Sequence, residues 1–116
     1  MLKYFILTSL LFSFQALANG NFIGDWDFTA KIQNRGEYTG VLKIQEKPKC
    51  FVEAADNDLV CKGYTIRRNQ MTVLIQNPDG AARFQGRIVK DSNPLKATGR
   101  IIHGGLNVGS WIAIKK

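Results

Sequence analysis

Beyond residue 22, apolar and polar residues alternate with a period of two along almost the whole chain. That is the pattern of half-buried β-strands, and no stretch carries a helical stripe. Trp26, Phe28, Ala30 and Ile32 share one face of a first strand, with Asp27, Thr29 and Lys31 on the other. Asn34-Arg35-Gly36 predicts a turn, and Glu37 to Gln45 a second strand with Tyr38, Gly40, Leu42 and Ile44 on one face. "EKPK" at Glu46 to Lys49 ends it. Cys50 to Glu53 and Asp58 to Arg67 flank "AADN", which reads as a four-residue hairpin connection. That hairpin register sets Cys50 opposite Cys61.

Gln70 to Gln76 follows, then "NPDG" at Asn77 to Gly80, a strong turn signal. Ala82, Phe84, Gly86 and Ile88 alternate with Arg83, Gln85, Arg87 and Val89. After "KDSNP" come Lys96 to His103 and Val108 to Lys115, joined through "GGLN". Eight short strands at intervals of about 12 residues predict an all-β fold. With every connection short, the expected topology is an antiparallel up-and-down meander closing into a small barrel. "YTGVL", "FQGRI" and "ATGRI" each carry a mid-strand glycine (Gly40, Gly86, Gly99). Glycine weakens a strand interior unless the chain bends there or a neighbouring backbone or ring comes close.

The first residues change the picture of where this domain works. One Lys3 precedes an apolar run from Tyr4 to Phe14, and "ALA" at Ala16 to Ala18 has the small-x-small form of a cleavage site. Residues 1–18 therefore read as a secretory signal peptide, with a single domain over 19–116 starting at Asn19. The apolar run falls short of the roughly 20 residues a spanning helix needs. No later segment suits a membrane helix. Cys50 and Cys61 are the only cysteines, and in an oxidising compartment they are expected to form a structural disulfide. The formal net charge of +7 favours acidic partners.

Three segments carry a resemblance: Gly24-Asp25-Trp26 opening the first strand, "NRGEYTG" at Asn34 to Gly40, and "VGSWIAIKK" at Val108 to Lys116. Together they resemble the calycin-like barrels, the lipocalins and avidins, which place a Gly-x-Trp at the start of an eight-stranded meander. The resemblance implies a barrel with ligand binding in its mouth. It further implies that Gly24 and Trp26 plug the opposite end, with Lys115 of the closing strand lying over Trp26 in a cation–π contact. The departures are plain. The longer lipocalins carry further motifs not found here, and the tryptophan set that stacks on biotin is missing, since the only tryptophans are Trp26 and Trp111. Trp111 and Ala113 compete with Ile112 and Ile114 for the inward face, so the pattern leaves the direction of Trp111 open.

Candidate chemistry is sparse. Tyr38, Tyr64, Phe84 and His103 are the expected lining of a ligand-binding mouth. Arg83, Arg87 and Arg100 fall on outward positions of neighbouring strands, with Arg67 and Arg68 at a nearby turn. Such a cluster suits phosphate, sulfate or carboxylate through forked hydrogen bonds. His103 is the lone imidazole, with Ser110 the only nucleophile near it in sequence, and Asp25 and Asp27 read as solvated. No catalytic set, metal site or cofactor is expected. The sequence thus points to an exported, non-catalytic binding protein for a small molecule, or for an anionic glycan, lipid or protein. Export argues against nucleic acid. The alternatives are an envelope or secreted interaction or inhibitor module, and a hydrolase using His103.

Overall fold

The computed structural model describes residues 22–54, 59–78 and 80–116. The expected signal peptide, the start at Asn19 and most of the "AADN" connection lie outside the described residues. Eight strands follow one another: β1 (Gly24–Ile32), β2 (Gly36–Ile44), β3 (Cys50–Glu53), β4 (Val60–Arg67), β5 (Gln70–Asn77), β6 (Gly80–Val89), β7 (Lys96–His103) and β8 (Leu106–Lys115). They form one antiparallel sheet in the order β3-β2-β1-β8-β7-β6-β5-β4, curled into a nearly closed barrel. The all-β meander read from the alternation is therefore the observed fold. No helix among the described residues is long and apolar enough to cross a membrane.

Closure differs from the simplest meander. β1 pairs with β8 from Trp26↔Lys115 to Ile32↔Gly109, so first and last strands join in a full ladder. The expected β3–β4 hairpin ladder is absent among the described residues, and those two strands are the ends of the sheet. The reason is local. β3 has only four residues, and a register shift between Cys61 and Gly63 turns β4 away from a regular edge. A covalent bond bridges this seam: Cys50 and Cys61 form the expected disulfide, with Cα atoms 5.5 Å apart. The Tyr64 hydroxyl adds a hydrogen bond to the Gln45 carbonyl. On the other side of β3, Lys43 and Glu53 pair at 3.0 Å. Glu53 accepts a hydrogen bond from Lys43 and attracts its charge, so the Lys43 pKa is raised, with Asp25 adding to the effect.

The inward face is apolar throughout, with no buried polar or charged side chain among the described residues. Trp111 points inward and is 4 % exposed, which settles its direction. Its indole Nε1 donates to the Arg100 carbonyl at 3.1 Å and lies 3.3 Å from that of Gln85. The register explains how a ring fits there. Trp111 is level with Gly99, Gly99 with Gly86, and Gly86 with Met71. A Cβ on Gly86 would lie 2.8 Å from the Trp111 ring and 2.1 Å from the Thr98 carbonyl oxygen. One on Gly99 would lie 1.9 Å from the Gln85 oxygen. Two of the three mid-strand glycines thus make room for the indole and for two strands approaching closely. The third, Gly40, lies under the Phe28 ring, 2.9 Å from a built Cβ.

At one end the barrel is filled. Trp26 is fully buried, and its Nε1 donates to the Phe22 carbonyl at 3.0 Å. Lys115 is level with Trp26 and its stem runs over Gly24, with Cε 3.2 Å from a built Cβ. No cation–π contact between Lys115 and Trp26 is found among the described residues. Asp25 and Asp27 face water on either side of Trp26, and Asp27 lies 3.6 Å from the Lys116 ammonium.

Two stability measurements follow. Replacing both Cys50 and Cys61 with Ala is expected to lower the unfolding free energy by about 3 kcal/mol, because the crosslink restricts the unfolded chain. An unchanged urea midpoint would remove the disulfide as the seam's main tie. Gly99→Ala is expected to cost about 3 kcal/mol through overpacking. Gly104→Ala, in an open turn at φ 59°, should cost only about 1 kcal/mol of left-handed backbone strain.

Candidate binding site at the barrel mouth

Opposite Trp26 the interior is empty. A cavity of about 530 Å³ opens between the end of β1, the β1–β2 turn, the ends of β5 and β7, and the starts of β6 and β8. Its lining includes the small residues Ala30 and Ala82, which leave space that bulkier side chains would occupy. Phe28, Ile75, Phe84 and Ile101 make the deeper walls, with Ile32 and Val108 nearer the opening. Gln33, Arg35, Tyr38, Asn77 and His103 supply the polar groups. Phe84 also touches the filled half, its ring centroid 6.2 Å from that of Trp111 at a tilt of 47°. An apolar body with a few polar atoms at its opening is the usual form of a small-molecule pocket, and the volume falls within the customary range of about 300–1,000 Å³.

His103 ends β7 with its ring over Gly80, where a built Cβ would meet Cε1 at 3.2 Å. Its Nδ1 lies 2.9 Å from the Ala81 carbonyl. A carbonyl only accepts, so Nδ1 carries the proton and Nε2 is the ring's other hydrogen-bonding atom. Ser110 is not brought to it. That residue is level with Arg100, on the outward face of β8, whereas His103 is level with Leu106 at the strand end. No cluster of three potential metal-binding side chains exists among the described residues.

Of the four expected mouth residues, Tyr38, Phe84 and His103 line the cavity and Tyr64 does not. Tyr64 is level with Val73, Val73 with Phe84, and Phe84 with Ile101, so alternation alone groups them. Strands in a barrel tilt and stagger, however. The lining therefore runs from Ile101 on β7 to Ile75 on β5 and to Leu59 just before β4. Tyr64 falls below it and lies at the seam against Gln45. Burial raises its pKa, because the phenolate would lose its water, and the charge of Glu46 adds to the shift. Sequence reasoning missed Ile75 and Ala82 as walls and Gln33, Arg35 and Asn77 at the opening. The strand-end positions of these residues were the available signal.

Of the five expected arginines, Arg67, Arg68, Arg87 and Arg100 line two adjoining surface grooves and Arg83 lines neither. Arg83, Arg87 and Arg100 are exposed on the outer faces of β6 and β7, and Arg67 and Arg68 stand at the β4–β5 turn. Fold and cavity together define a small, disulfide-tied antiparallel β-barrel, filled at one end and open at the other. No family model matches the chain, and neither the curated proteins nor the solved structures contain a match to it.

The Tyr64 environment has a pH signature. Between the ordinary tyrosine pKa of 10.0 and the raised native value, the unfolded chain releases a proton that the native state retains. Stability then falls as pH rises. Denaturation midpoints measured upward from pH 9 should decline less steeply in Tyr64→Phe than in the parent; parallel slopes would contradict the burial of this hydroxyl.

Proposed function

We propose that the chain is an exported, non-catalytic binding protein that holds a small, mainly apolar molecule in the mouth of a calycin-like barrel. The observation that carries this reading is the apolar cavity of about 530 Å³ facing away from the Trp26 plug. The ligand would place its apolar body against Phe28, Ile75, Phe84 and Ile101, where water gains little by hydrogen bonding. A polar end would meet Tyr38 and the His103 imidazole at the opening. The Cys50–Cys61 disulfide and the signal-like N-terminus support export, since such bonds persist in oxidising compartments. Removal of the leader is expected to leave Asn19 as the first residue, and N-terminal sequencing of the exported protein checks it. An N-terminus still at Met1 would overturn the leader.

The neutral dye N-phenyl-1-naphthylamine tests the pocket. Its fluorescence is expected to rise in a saturable way with the oxidised protein. Ala82→Phe, which fills the cavity from β6, should weaken that binding by about tenfold or more, equivalent to about 1.4 kcal/mol. His103→Ala, at the opening, should have a smaller effect. An absence of saturable binding, or equal affinity in a folded Ala82→Phe variant, would overturn the reading.

A further inference from the structure

The outer surface of β4 to β7 carries a second feature, separate from the mouth. A shallow groove holds Arg67, Arg68, Arg87 and Lys90, and a neighbouring one shares Gln70 and Arg87 and extends to Arg100. The register turns these into lateral rows across the strands. Arg67 is level with Gln70, Gln70 with Arg87, and Arg87 with Thr98. One row further along, Thr72 is level with Gln85, Gln85 with Arg100, Arg100 with Ser110, and Ser110 with Lys31. Strands lie about 4.8 Å apart, so cations alternate with hydroxyls and carboxamides at intervals of one or two strands.

From β4 to β8 no carboxylate stands in these rows, Glu37 coming level only with Lys31 beyond them, and among the described residues none of these arginines pairs with an acidic side chain. In the sequence from Cys61 to His103 the acidic residues are Asp79 and Asp91 alone. A second observation is independent of charge. Arg68 has φ 59° at the β4–β5 turn, a left-handed conformation that glycine or asparagine adopts far more readily. An arginine in that conformation places another guanidinium in the groove lining.

From this surface we infer a binding site for a linear anionic polysaccharide, one bearing sulfate or carboxylate groups along a hydroxyl-rich chain. Arginine forks engage the anionic groups, and Gln70, Gln85, Thr72 and Thr98 meet the sugar hydroxyls between them. Single-stranded nucleic acid fits less well, because its recognition relies on exposed aromatic rings. The aromatic residues of β4 and β6, Tyr64 and Phe84, are buried inside. A flat lipid surface would not follow a groove, and the exposed apolar residues Leu74 and Val89 lie outside it.

The test uses the oxidised protein with a heparin-derived oligosaccharide as the polyanion and neutral dextran as control. Saturable binding to the former alone is expected, weakening as salt is added. The combined variant Arg67→Gln, Arg87→Gln and Arg100→Gln should lose about tenfold or more in affinity, because several contacts act together. Lys47→Gln with Lys49→Gln, in the β2–β3 connection and outside the lining of both grooves, should change it by less than about twofold. Arg68→Gly should weaken binding while leaving the melting temperature unchanged or higher. Equal losses in the arginine and lysine variants would overturn the site, leaving only net charge. So would tighter binding to a single-stranded oligonucleotide or to vesicles containing phosphatidylglycerol. N-phenyl-1-naphthylamine binding by the arginine variants separates this inference from the mouth: retained dye binding with lost polyanion binding is the expected pair.

Discussion

The structure depends most on the contact between the Trp111 indole and Gly86, with Gly99 level with both. An indole is among the largest side chains, and a strand interior ordinarily offers it no room. Here two adjacent strands present hydrogen in place of side chains, so the ring lies directly over the sheet. The Arg100 carbonyl, with that of Gln85 nearby, receives the one polar atom the ring buries. The outcome is a β6–β7–β8 wall packed closely around a single side chain. Phe84, its ring 6.2 Å from that of Trp111, stands between this packed half and the cavity it lines.

The two ends of the barrel follow from side-chain size along the strands. β1 runs from Trp26 through Phe28 to Ala30, from bulky to small, so the same strand fills one end and empties the other. β6 has the opposite direction, and it too sets a small residue, Ala82, at the open end, with the bulkier Phe84 deeper. These antiparallel strands, three places apart in the sheet, both put their small residue at the open end, which tapers the interior without any inserted element. The polar groups at the wide end come from turns and strand termini, where alternation no longer constrains them.

Much of this was legible in the chain. Strand number, order and most boundaries followed from alternation and turn residues, since a half-buried strand imprints its period directly. The glycines flagged a close approach, although not the ring responsible, because the facing residue of Trp111 was ambiguous between two apolar parities. What alternation could not supply was stagger. Tyr64, grouped with Phe84 by register, ends at the seam because strand tilt accumulates around the barrel. Local pattern likewise favoured a β3–β4 hairpin; a four-residue strand and an irregular β4 prevented the ladder. Such features arise only from closing the whole sheet, and no single segment records them.

The unladdered seam has a consequence for the protein's life before oxidation. Until Cys50 meets Cys61, β3 and β4 are the bare borders of a long sheet, each with backbone groups free to pair with another chain. Such borders template edge-to-edge association. The crosslink therefore acts as a guard against self-assembly as well as a tie. Nascent chains would be safest if collapse and thiol oxidation were completed together.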